Sequence, residues 1–111
     1  NRFNLAYLHL VEALPGHMLA GEGERVSPYL RQVFQNTLIL NGGYGATTGE
    51  AAITNNEADL IAYGVPFIAN PDLPERFQLN APLNQPDFPT FYAHDEKGYT
   101  DYPTLKQLQA V

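Results

Sequence analysis

The chain has 111 residues, 44% of them hydrophobic, and a formal net charge of −6. That length suits one domain with a real core, and the hydrophobic share argues against disorder throughout. The acidic balance, with only six Lys and Arg spread along the chain, excludes the basic stripe that nucleic-acid binding requires.

Leu5 to Val11 is a short, nearly continuous apolar run, which predicts a strand buried on both faces, as in a parallel sheet. Glu12 to Glu24 contains Pro15, Gly16, Gly21 and Gly23 and reads as loop. Val26 to Gln35 has apolar residues at helical spacing, with Ser27-Pro28 as an N-cap and a first-turn proline. A second strand covers residues 37–40 and ends at Asn41-Gly42-Gly43. The next helix begins near Thr48 and stops at Asn55-Asn56. A third strand covers residues 59–63 and is closed by Gly64. Asn70-Pro71-Asp72 then predicts an N-cap, a proline at the first helical position and an acid in the first turn of a helix reaching Phe77. Residues 80–103 are proline-rich and aromatic and read as an ordered irregular segment, with a last short helix from about Thr104.

Strand–helix alternation of this kind predicts right-handed βαβ crossovers and a parallel sheet, an α/β fold. Three parallel strands cannot close a barrel, so both outer strands keep unpaired edges that missing sequence, a second chain or a symmetric copy must cover. The chain also opens at Asn1 without a Met and enters a strand-like run almost at once, as a piece of a larger fold would.

Chemistry in such folds sits on the loops after the strands. Asn41-Gly42-Gly43-Tyr44-Gly45 and Gly64-Val65-Pro66-Phe67 lie there, and their glycines suit either a close backbone approach to a phosphate or plain turn geometry. No G-x-G-x-x-G fingerprint, zinc motif, nucleophile elbow or Walker loop occurs. His9 reads as an interior strand residue, and His17 and His94 lie in loops without metal-ligand spacing. Glu12, at the end of the first strand, reads as a structural hydrogen-bonding acid. Phe88, Phe91, Tyr92, Tyr99 and Tyr102 suit either a ligand wall or pins that hold the tail to the body. No cysteine is present, which excludes disulfides and thiolate metal sites, and no metal ligands are assigned. No apolar run approaches the ~18–20 residues of a membrane span and no signal-peptide pattern is seen, so the expected location is cytoplasmic.

Several runs together carry a specific resemblance: Tyr7-Leu8-His9-Leu10-Val11-Glu12, Asn41-Gly42-Gly43-Tyr44, Ala58 to Gly64, Pro66 to Phe77, Leu79 to Asn84 and Gly98 to Pro103. Over nearly its whole length the chain resembles the old yellow enzyme family, with a flavour of its 12-oxophytodienoate reductase branch. The resemblance implies the last three strand–helix units of a (β/α)8 TIM-type barrel, incomplete on its own. It implies a barrel that holds FMN, is reduced by NAD(P)H and passes hydride to enones. It places Gly42, Gly43, Ala62, Tyr63, Gly64 and Val65 at the FMN phosphate, and Phe91 and Tyr92 along the substrate pocket. The family's arginine after the glycine matching Gly64 is replaced here by Val65, and Pro66 follows without an N–H to donate. Losing one charged hydrogen-bonding partner costs about 1.5–3 kcal/mol, so FMN binding to the isolated chain is expected to be weak or absent. The family's substrate-anchoring and proton-donating residues come from earlier strands, so no catalytic residue is assigned.

The resemblance thus points to the C-terminal portion, residues 1–111, of an FMN-dependent oxidoreductase barrel, working only with a complementary N-terminal portion. A different reading is a non-catalytic remnant α/β domain that self-associates through its open strand edges. A third is an anion-binding module built on the two glycine loops.

Overall fold

The computed structural model describes residues 1–13 and 23–110, and the chain divides into two compact units, Asn1–Tyr63 and Gly64–Val111. The loop expected over Glu12 to Glu24, with His17, falls largely outside the described residues.

The first unit runs β1 (Tyr7–Val11), α1 (Ser27–Val33), β2 (Thr37–Asn41), α2 (Ala46–Thr54) and β3 (Leu60–Ile61). Its strands form one parallel sheet in the order β1-β2-β3, with Tyr7 opposite Thr37 and Ile39 opposite Leu60. Strand β1 starts later than the apolar run because Leu5 and Ala6 have no pairing partner; the Leu5 carbonyl instead accepts from the Asn36 amide at 2.7 Å. Strand β3 is two residues long, but its hydrogen bonding reaches one residue further each way. Asp59 N–H donates to Leu38 O at 2.9 Å and Ala62 N–H to Leu40 O at 2.8 Å.

One face of this sheet is the core. Leu38 and Leu40 are fully buried with Tyr44, Ala52 and Ala58, and Leu8, Leu10, Ile61 and Tyr63 pack against them. The opposite face is open. Tyr7, His9, Val11 and Leu60 are exposed, which corrects the expectation that β1 is buried on both faces. The apolar run suits a doubly covered strand, but three strands enclose no barrel interior to cover its second face.

The start of α1 also differs from the sequence reading. Val26 is the capping residue, Ser27 the first helical one, and no side chain of the capping residue bonds to the helix. The Glu12 carboxylate takes that role from a distance, accepting from the N–H groups of Val26 at 2.6 Å and Ser27 at 3.3 Å. An acid there satisfies amide donors that a helix start leaves without intrahelical partners.

The second unit holds three short helices, α3 (Val65–Ala69), α4 (Leu73–Gln78) and α5 (Leu105–Gln109). Residues 64–67, read as loop, turn at once into α3. Pro66 sits in its first turn, where its missing N–H breaks no helical hydrogen bond. Helix α4 begins at Leu73, with Asp72 at the capping position and Pro74 in the first turn, rather than at Pro71. Asn70 is not its cap. It is buried, with its amide donating to Pro66 O at 2.9 Å and its oxygen accepting from the Asn84 N–H at 2.7 Å.

These bonds belong to a polar core that orders the proline-rich segment without strands or helices. Asn84 donates through its side chain to Ala69 O at 2.9 Å and Pro103 O at 2.8 Å. The Arg76 guanidinium, 1% exposed, reaches Asp72 at 2.8 Å, Pro82 O at 2.8 Å and Pro103 O at 2.9 Å. Asp72 also accepts from the Leu105 N–H at 2.7 Å, tying the start of α5 to the start of α4. Burial alone would raise the Asp72 pKa, but Arg76 and the Leu105 N–H outweigh it and lower the pKa. Helix α5 opens with a capping box, in which Thr104 Oγ1 accepts from the Gln107 N–H and Gln107 Oε1 from the Thr104 N–H.

Candidate functional site

The C-terminal ends of β1 and β2 meet at Gly42. Its φ is +137°, a backbone conformation that side-chain-bearing residues rarely adopt. A Cβ built there would overlap the Glu12 carbonyl oxygen and lie 2.6 Å from its carbon and 2.9 Å from Ala13 Cα. The demand for glycine therefore comes from the neighbouring strand exit, whether or not a ligand approaches. Gly43 follows with φ +85° and is exposed, and its N–H makes no hydrogen bond among the described residues.

Next comes Tyr44, whose ring is buried in the core and whose hydroxyl accepts from Arg25 Nη2 at 2.9 Å. Arg25 also pairs through Nε with Glu12 at 3.1 Å. Burial by itself would raise the Glu12 pKa, but the Val26 N–H, Ser27 and Arg25 outweigh it and hold it below the ordinary carboxylate value. Gly45 precedes α2 and donates its N–H to Thr48 Oγ1 at 2.8 Å, while its carbonyl accepts from the Tyr63 hydroxyl at 3.1 Å.

The exits of β2 and β3 are joined as well, because the Asn41 amide donates to Ala62 O at 2.7 Å. Gly42, Gly43, Ala62 and Tyr63 thus lie on linked strand exits of the first unit. Tyr63 is half-buried; burial and the nearby Glu50 charge raise its hydroxyl pKa.

In the second unit, Gly64 precedes α3 with a φ of −95°, and a Cβ there would meet nothing within 4 Å. Val65 opens α3 and is half-buried. Phe91 is buried, edge-on to Phe88 with centroids 5.2 Å apart and 4.2 Å from the Tyr92 ring. Phe91 is thus buried against ring neighbours of its own segment, whereas Tyr92 is exposed. His9 and His94 are both exposed. Among the described residues no group of three His, Asp or Glu side chains could hold a metal ion.

The opposite end of the sheet is built differently. A polar hollow there is lined by Arg31, Phe34, Thr37, Asn56 and Asp59. Arg31 clamps Asp59, 2.6 Å from Nη1 to Oδ2, and also reaches Asn56, while Asp59 Oδ2 accepts from the Leu38 N–H at 2.9 Å. The Arg31 hydrogen bond, with the Leu38 N–H, pulls the Asp59 pKa down to about 2. These residues hold the strand starts together, the end of such folds associated with stability rather than chemistry. Sequence reading missed the Asn41 tie and the Arg25–Tyr44 contact, since partners 21 and 19 residues apart leave no local spacing signal.

The family model for the NADH:flavin oxidoreductase / NADH oxidase family matches residues 2–84. A 12-oxophytodienoate reductase-like protein of Solanum lycopersicum is 47% identical over 107 residues, covering 96% of this chain and 28% of that protein. The 12-oxophytodienoate reductase 2 of Arabidopsis thaliana is 44% identical over 110 residues, covering 96% and 29%. Among solved structures, the old yellow enzyme homologue of Zymomonas mobilis superposes with a TM-score of 0.88 at 40% identity, over 94% of this chain and 30% of that one. Morphinone reductase superposes with a TM-score of 0.82 at 49% identity, over 95% and 28%. The chain therefore spans 28–30% of the length of these four proteins, and the matched region is their C-terminal part. The fold is accordingly an incomplete TIM-type barrel.

Proposed function

This chain belongs to the NADH:flavin oxidoreductase / NADH oxidase family, and from that premise we propose that residues 1–111 form the C-terminal portion of an FMN-dependent NAD(P)H:enone oxidoreductase. In this reading Gly42, Gly43, Ala62, Tyr63, Gly64 and Val65 contribute to the FMN phosphate end, and Phe91 and Tyr92 to the substrate-pocket wall. The observation that carries it is Gly43. This residue is exposed at φ +85° on the exit of a parallel strand, and its N–H makes no hydrogen bond among the described residues, which suits an anionic group that hydrogen-bonds to main-chain donors.

The fit is uneven. Gly64 leaves open space beside its backbone, which suits close approach. Val65 offers no charge where the family resemblance leads one to expect an arginine, so the phosphate would be held here by main-chain N–H groups without that cation. FMN, when bound, would supply the hydride chemistry between NAD(P)H and an activated alkene. This chain's own residues bind and orient; the groups that anchor the enone and donate a proton are expected on the strands that precede these in the barrel.

The experiment mixes the chain with the N-terminal strands of a matched relative, such as morphinone reductase, and follows flavin fluorescence and NADPH oxidation with a 2-enone. Flavin uptake and enone-dependent turnover by the pair, and by neither piece alone, are expected. A pair that folds together and takes up no FMN rejects the reading. Val65 favours one alternative, a non-catalytic α/β domain covering its strand edges by self-association. That alternative predicts concentration-dependent oligomers of the chain in sedimentation and no flavin under any condition.

A further inference from the structure

We propose that Arg25 is a positioning residue for the glycine loop after β2, acting through Tyr44 and Glu12. The inference rests on the reading above, in which Gly43 donates to the phosphate of FMN. Gly43 stands between two residues anchored to the same point. On one side, Gly42 is packed so closely on the Glu12 backbone that no Cβ fits. On the other, Tyr44 has its ring in the core and its hydroxyl on Arg25, and Arg25 is held by the Glu12 carboxylate.

Glu12 is fixed in turn, because its N–H donates to Asn41 O at 2.8 Å and its carboxylate holds the start of α1. The loop is thereby closed from both ends onto the exit of β1. Gly43, the one exposed residue from Asn41 to Gly45, makes no N–H hydrogen bond among the described residues and is held by its neighbours on both sides. A glycine at positive φ without such anchors would sample many directions, and ordering it would weaken binding. Arg25 acts without touching the cofactor; it removes that freedom before the ligand arrives.

The test uses the reconstituted flavoprotein and compares FMN with riboflavin, which carries the same ring system without the phosphate. Tyr44→Phe removes only the hydroxyl and keeps the buried ring; Arg25→Met removes the bridge. Each variant is expected to lose about five- to tenfold in FMN affinity, the effect of one charge-assisted hydrogen bond, with riboflavin affinity unchanged. The double variant should lose no more than Arg25→Met alone. Equal losses for both ligands would mean a merely structural role and overturn the proposal, as would unchanged FMN affinity in both variants. If the unsubstituted protein binds FMN no more tightly than riboflavin, the phosphate reading itself fails, and this inference with it.

Discussion

Gly42→Ala is the substitution for which the geometry makes the sharpest demand. At φ +137° an alanine is strained wherever it points, at a cost on the order of 1–3 kcal/mol. Its Cβ would overlap the Glu12 carbonyl and lie 2.9 Å from Ala13 Cα. Those atoms are backbone of the adjacent strand exit and cannot swing aside as a side chain would, which adds a further ~1–3 kcal/mol of overpacking. The sum, about 2–6 kcal/mol, is a large part of a typical domain's stability of roughly 5–15 kcal/mol. Gly64→Ala is the control, since its φ is ordinary and nothing lies within 4 Å of the added carbon. Urea unfolding followed by far-UV circular dichroism should shift the Gly42→Ala midpoint down by ~1–3 M, given a slope near 2 kcal/mol per molar for a small protein. Gly64→Ala should stay within about 0.5 kcal/mol of the parent. Equal midpoints for Gly42→Ala and the parent would refute the claim that the β1 exit imposes this glycine.

Arg76→Met should destabilise the second unit by about 3–5 kcal/mol, because it leaves the Asp72 carboxylate and the Pro82 and Pro103 carbonyls without their shared donor. Limited proteolysis should then cut within residues 80–103 much faster than in the parent. For Asp59 the folded pKa of about 2 lies below the ordinary 3.8, so its contribution is complete above about pH 4 and is lost as pH falls through 2. The carboxylate is substantially exposed, so solvent screening limits the effect to on the order of 1 kcal/mol; Asp59→Asn should remove that part of the acid dependence in a pH-stability titration. Val65→Arg in the reconstituted protein should raise FMN affinity about ten- to a hundredfold by adding a charged donor, measured by fluorescence titration.

The sheet was legible because its signals are local. Thr37-Leu38-Ile39-Leu40 is a β-branched and aliphatic run closed by Asn41 and two glycines, and alternation with helices makes parallel pairing the natural solution. The polar core of the second unit was not legible in the same way. Asn70 followed by Pro71 looks like a helix start, yet a partner fourteen residues on, Asn84, captures its amide oxygen and the helix begins later. Ser27 before Pro28 misleads for the same reason: the acid that covers the start of α1 is Glu12, just past the end of β1. Local propensity cannot see competition from distant residues. The glycines of the loop after β2 were visible as a pattern, but not the reason for them. For Gly42 that reason is the packing of two strand exits, while Gly43 is the exposed residue of the loop and its N–H makes no hydrogen bond among the described residues.

The central claim, that this chain supplies the phosphate end of a flavin site within a shared barrel, is tested most directly by size-exclusion chromatography of the reconstituted pair with FMN, monitored at flavin wavelengths. One peak containing both polypeptides and bound flavin is expected, with neither piece carrying flavin alone. Co-elution of the two polypeptides in a flavin-free peak would contradict it.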